Sequence, residues 1–125
     1  MKIKNKRAGY ADDDVFDITF KKGVGSKRVA EDLHDVIKDY PDAMLAYKSS
    51  INDFYKKKVI DNNKVNLTEH KNFIKNYEDN LKVFFNPKEY NQITKIGGLQ
   101  KTINNIEKTR ENIIKNLSKS FEGKL

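Results

Sequence analysis

Near its start the chain alternates apolar and polar residues with one period, and through the rest of its length with another. From Val15 to Phe20, the apolar Phe16, Ile18 and Phe20 alternate with Asp17 and Thr19. A period of two over β-favouring residues predicts a half-buried strand. Residues 2–6 carry a weaker strand signal, and Ala8 to Asp14 reads as a loop. The expectation is a small hairpin pairing residues 2–6 with 15–20. Two strands alone are marginal in water, so the hairpin must lie on the helices or on another subunit.

After Gly25 the period becomes helical. Ser26 is a good N-cap for a helix in which Val29, Leu33, Val36, Ile37 and Tyr40 share a face. Pro41 suits a first helical turn, and the next helix, over 42–60, places Met44, Tyr47, Ile51, Phe54 and Tyr55 on a stripe. Asp61 to Lys64 is a polar connector, and Thr68 caps a third helix carrying Phe73, Ile74, Tyr77, Leu81, Phe84 and Phe85. Asn86, Pro87 and Glu89 form a capping-box signature opening a short helix with Tyr90, Ile93 and Ile96, which stops at Gly97 and Gly98. The last helix, Leu99 to about Ser120, spaces Leu99, Ile103, Ile106, Arg110, Ile113 and Leu117 by 4, 3, 4, 3 and 4. That is a heptad-like contact seam. The predicted fold is mainly α: four to five helices in a small bundle with a short N-terminal β-strand or hairpin, α+β being the alternative class. Residues 1–25 form the β arm and 26–125 the helical body of one domain.

Composition narrows the function. Leu, Ile, Val and Phe make up 33 of the 125 residues, enough for a modest core. There is no cysteine, which removes disulfides, thiolate metal sites and cysteine nucleophiles, and fits an intracellular protein. The longest apolar runs are three residues, as in Val83 to Phe85, so no membrane helix or secretory signal is expected. The net charge is +7, gathered at the two ends, and 22 of the 25 basic residues are lysine. A polyanion is attracted to such ends, yet groove-reading and phosphate-clamping surfaces favour arginine. With 14 Asn and 12 Ile, the lysine excess also carries the stamp of an A/T-rich genome.

Candidate chemistry is sparse. The segment from Gly23 to Lys27 sits where phosphate loops occur, but it departs from the Walker pattern. What it leaves is an anion site in which Lys21, Lys22, Lys27 and Arg28 surround a helix N-terminus. Glu31 and His34 have the spacing of a carboxylate-bridged metal helix without the second copy such a site needs. His70, directly after Glu69, reads as a solvated or boundary histidine. Asp12 to Asp14 lack the alternation of a calcium loop. No catalytic, cofactor or metal site is expected, and the chain reads as a non-enzyme.

Two features favour other chains as partners. The adjacent aromatics Phe54 and Tyr55, and Phe84 and Phe85, together with Phe121, exceed what one apolar stripe buries. Arg110 interrupts the terminal seam, where it is expected to meet an Asp, Glu or carbonyl of a partner. The partner-binding residues are thus Leu99, Ile103, Ile106, Arg110, Ile113 and Leu117.

With its Met1-Lys-Ile-Lys4 start, helical body and Phe84-Phe-Asn-Pro-Lys-Glu-Tyr90 segment, the chain resembles small head or tail assembly proteins of tailed bacteriophages. Residues 86–98 and the terminal amphipathic helix carry most of the likeness. The resemblance implies a non-enzymatic, oligomeric assembly or adaptor protein, working through protein–protein contacts in the bacterial cytoplasm or the virion. The alternative is a small basic nucleic-acid-binding protein using its two ends. Steep salt dependence would separate the second from the first.

Overall fold

The computed structural model describes the backbone of residues 10–124 and the side chains of residues 15–116. Among the described residues the chain forms α1 (Tyr10–Thr19), α2 (Ser26–Ile37), α3 (Pro41–Val59), β1 (Ile60–Asp61), β2 (Lys64–Val65), α4 (Leu67–Asn76), α5 (Glu78–Phe84), α6 (Pro87–Ile93) and α7 (Gly98–Lys124). It is mainly helical with one short antiparallel hairpin.

The hairpin is not where alternation placed it. Val15 to Thr19 lie in α1, a helix instead of a strand, while residues 2–6 lie outside the described residues. Phe16 and Phe20 are four apart, so a helix puts both on one side, where their rings stack at 5.0 Å. Phe20 also lies flat on Tyr77 at 4.6 Å and meets Phe54 edge-on at 5.7 Å. Ile18, expected to share their buried face, is 67% exposed. Tertiary aromatic packing overrides the β propensity of the segment.

The strands instead pair Ile60 with Val65 and Asp61 with Lys64. Asn62 and Asn63 between them have φ of 54° and 64°, the two positive values a type I′ two-residue turn requires. The segment read as a polar connector is thus a hairpin, and the Val59 carbonyl accepts the Asn66 N–H at its base, 2.8 Å away.

α3 is the central element, packed against α1, α2, α4, β1 and α7, while α2 lies along α5. Pro41 opens α3, as expected. A helix covered on several sides needs a wide apolar surface, which explains the adjacent aromatics. Tyr55, Phe84 and Phe85 are 4%, 3% and 2% exposed within this one chain, and Phe54 is half-buried. They therefore do not call for a partner. Phe84 ends α5 against Tyr47 at 4.6 Å. Phe85 has left the helix for extended backbone, φ −124°, and turns its ring beneath Lys48.

Caps differ from expectation at two helices. Gly25, not Ser26, occupies the N-cap of α2, and Asn66, not Thr68, caps α4 by accepting the Glu69 N–H. The single helix expected from Thr68 to Phe85 is two helices, broken at Tyr77. The capping box of α6 is present in both directions: Asn86 Oδ1 accepts the Glu89 N–H at 2.8 Å, and Glu89 Oε1 accepts the Asn86 N–H at 3.0 Å. Beyond α6 the backbone turns back on itself so tightly that a Cβ on Gly98 would stand 1.7 Å from the Gln92 carbonyl oxygen. Only glycine fits there.

Candidate functional site

A groove of about 650 Å³ opens on the described surface between the first half of α3, α6 and the middle of α7. Pro41, Met44, Leu45, Ile106 and Ile113 supply its apolar lining, and the heptad-like spacing of α7 sets two of them on one side. On α7 the lining runs from Thr102 to Ile113, which at 1.5 Å per residue is about 16 Å, or three helical turns. A second opening, lined by Tyr40, Pro41, Asp42, Arg110, Ile113 and Ile114, continues it past the Arg110 side chain.

The polar lining is unbalanced. Lys38, Lys48, Lys88 and Arg110 face the groove with one carboxylate, Glu89, among them. Glu89 already accepts the Asn86 N–H in the capping box. Arg110 Nη2 donates to Asp42 Oδ1 on the rim, and Lys38 stands 3.9 Å from Asp35. Among the described residues Lys48 and Lys88 form no ion pair within 4.0 Å. Lys48 is half-buried, with its ammonium 5.2 Å from the centre of the Phe85 ring. Burial pulls its pKa below the usual lysine value, against a smaller opposing pull from Glu89. Thr102, 4% exposed, lines the groove with a hydroxyl that has no hydrogen-bond partner among the described residues.

The terminal seam divides along its length. Leu99 and Ile103, 1% and 3% exposed, belong to the core. Ile106 is half-buried in the groove, Ile113 is 55% exposed at its end, and the Leu117 side chain lies outside the described residues, as does Phe121. Arg110, expected to meet a partner, pairs instead with Asp42 of its own chain. Asp42 sits in the first turn of α3, where the helix N-terminus favours a carboxylate, so its charge was available to close the break in the seam. Lys38 in the turn between α2 and α3, Met44, Leu45 and Lys48 on α3, and Lys88 on α6 also line the groove, and reading the seam alone missed them. The signal for part of this set is an apolar row on α3, Pro41, Met44 and Leu45, which shares Met44 with the buried stripe and ends in Lys48.

The other candidates do not assemble. Lys21, Lys22, Lys27 and Arg28 are all exposed around the Gly23 to Gly25 turn. Only Lys27 joins Glu31 and His34, in a shallow cavity of about 360 Å³ shared with Asp35, Asp79 and Lys82. There His34 stands edge-on to Phe84 at 5.7 Å. Among the described residues no three His, Asp or Glu side chains gather as a metal site requires. His70 is not solvated: it is 6% exposed, with Nε2 2.9 Å from the Thr94 carbonyl and Nδ1 2.7 Å from the Tyr55 hydroxyl. A carbonyl only accepts, so Nε2 carries the proton, and Tyr55 donates to Nδ1. This chain clasps α3, α4 and the end of α6 together inside the core.

No described helix is long and apolar enough to cross a membrane. Comparison of the chain with family models, with curated proteins and with solved structures found no match.

Proposed function

We propose that this chain is a non-enzymatic assembly or adaptor protein that acts through protein–protein contacts. The observation that carries the reading is the open end of α7. Ile113 and Ile114, 55% and 51% exposed, extend the apolar groove onto a helix whose side chains are all exposed from Glu111 to Asn116. An apolar strip of this kind, rimmed by charge, is what an interaction surface requires. The phage context, with work in the host cytoplasm or the virion, rests on the resemblance of residues 86–98 and the terminal helix to head and tail assembly proteins.

The test replaces Ile113 and Ile114 together by Asp and compares sedimentation of the variant and the unchanged chain. Each is run alone and mixed with the purified products of neighbouring genes. Both positions are exposed, so the helical circular dichroism should not change. Association, with itself or with one of those products, should be lost in the variant. A chain that associates with nothing in either form, or whose binding is to DNA and falls steeply with salt, replaces this reading with the nucleic-acid one.

A further inference from the structure

We infer that the groove between α3, α6 and α7 receives an amphipathic helix with an acidic polar face, contributed by a partner protein. The inference rests on the proposed assembly role and specifies the chemistry of the partner. Of the four cationic side chains lining the groove, Arg110 is paired with Asp42 and Lys38 stands 3.9 Å from Asp35, while the one lining carboxylate, Glu89, is engaged in capping α6. Lys48 and Lys88 have no carboxylate within ion-pairing distance among the described residues. An incoming segment with Glu or Asp flanking its apolar row supplies those missing partners. The half-buried Lys48 ammonium gains most, since the groove wall already screens it from water.

The walls also select the shape of the occupant. The walls are helices and the turns that open α3 and α6, and the described sheet, β1 with β2, is not among them; the free N–H groups of those two first turns do not line up as a strand edge. A segment entering this groove finds no free backbone edge to pair with. It must satisfy its own N–H and C=O groups, which a helix does. The three-turn length of the α7 lining matches apolar anchors recurring every third or fourth residue. The chain's own ends are poor occupants, because residues 1–7 carry four basic and no acidic residues and residues 99–125 carry six basic against three acidic. Their charge has the sign of the groove.

The experiment uses two designed helical peptides of about 14 residues, four turns. Both carry Leu at the same third and fourth positions. One has Glu at the remaining sites flanking the Leu row, and its twin has Lys. Fluorescence anisotropy with the full chain should show the Glu peptide binding at least about tenfold tighter than the twin, with affinity falling as salt is added. Lys48→Met with Lys88→Gln, which removes both charges and keeps an unbranched side chain at position 48 beside Phe85, should remove that preference. Ile113→Asp should abolish binding of the Glu peptide. Equal binding of the two peptides, or a preference untouched by the lysine substitutions, overturns the inference. So does binding of phosphatidylglycerol vesicles through the same lysines with no binding of the peptide. If neither peptide binds while association still depends on Ile113 and Ile114, the acidic-helix inference falls and the assembly role stands. If association is also absent, both fall.

Discussion

Tyr47 joins three helices through one ring and one hydroxyl. Its ring meets Phe16 of α1 at 5.4 Å and Phe84 of α5 at 4.6 Å. Thr19 Oγ1 donates its single proton to the Val15 carbonyl at 2.6 Å, so the Tyr47 O–H donates to Thr19 across 2.8 Å. Burial pushes the Tyr47 pKa up to about 12; the Thr19 hydroxyl lowers it to a smaller extent, since on ionisation it can turn its proton from the Val15 carbonyl to the phenolate. In the unfolded chain Tyr47 titrates near 10. The folded state therefore holds the proton more tightly, and its contribution is full below pH 10 and lost as pH rises through about 12. Tyr55 and Tyr77, raised by burial as well, act in the same direction. Urea midpoints measured against pH should be level just below this window and fall within it, and Tyr47→Phe should flatten part of that fall. An equally steep fall in the variant would show that another group controls alkaline unfolding. The His70 clasp gives a second residue-scale outcome. Tyr55→Phe leaves Nδ1 without a donor and should cost about 1–3 kcal/mol. Adding His70→Leu should cost less than the sum of the two single changes, because both remove the same bond. Additive midpoints would mean that the bond contributes nothing.

At the scale of elements, α1 tests how phase is read. Phe16 and Phe20 satisfy a period of two and a period of four equally, and Ile18 alone distinguishes them. In the helix Ile18 faces outward, so Ile18→Asp should shift stability by no more than about 0.5 kcal/mol. Phe20→Ala, emptying the space between Tyr77 and Phe54, should cost about 3–5 kcal/mol. Thermal melts of the two variants check both, and a large loss for Ile18→Asp would put the segment back in a strand. The rest of the fold was legible to the extent that its signals were local. The α6 capping box and the proline at the start of α3 depend on neighbours within a turn, and both are present. The hairpin was just as local, since Asn62 and Asn63 lie between the β-branched Ile60 and Val65, but two Asn read as solvent-loving as readily as turn-forming. The buried face of α2 was not legible, because Ala30 at 0% exposure marks the close approach while Val36 is 66% exposed. Apolar character does not say which side a neighbour occupies. The groove was half legible. Ile106 and Ile113 follow from the spacing along α7, whereas Lys48 and Lys88 become part of a site only when α3 and α6 are folded against that helix.

The whole molecule is held by one cluster that begins at Phe16 and ends at Ile103 among the described residues, so the final helix serves two ends of unlike purpose. Its first turns complete the core. Leu99 and Ile103 are buried, and Asn52 of α3 donates through Nδ2 to Gln100 Oε1 at 2.9 Å, with Gln100 in turn donating to Asn104. From Glu111 onward nothing described is buried. A chain ending at Gly98 loses two buried aliphatic residues, each worth about 2–5 kcal/mol when removed from a core, and a typical domain holds only about 5–15 kcal/mol in all. Such a chain should be largely unfolded and says nothing about association. A chain ending at Glu111 keeps the core, the Asn52 to Gln100 bond and the exposed Arg110 to Asp42 pair, which is itself worth at most about 1 kcal/mol. Its chemical-denaturation midpoint should match that of the full chain to within about 1 kcal/mol. In the sedimentation assay it should no longer associate, having lost Ile113 and Ile114. If the chain ending at Glu111 unfolds instead, the distal half of α7 belongs to the fold, and the exposed isoleucines are not a surface kept for a partner. If it folds and still associates, the contact lies elsewhere on the molecule, and the groove must be judged by the peptide measurements alone.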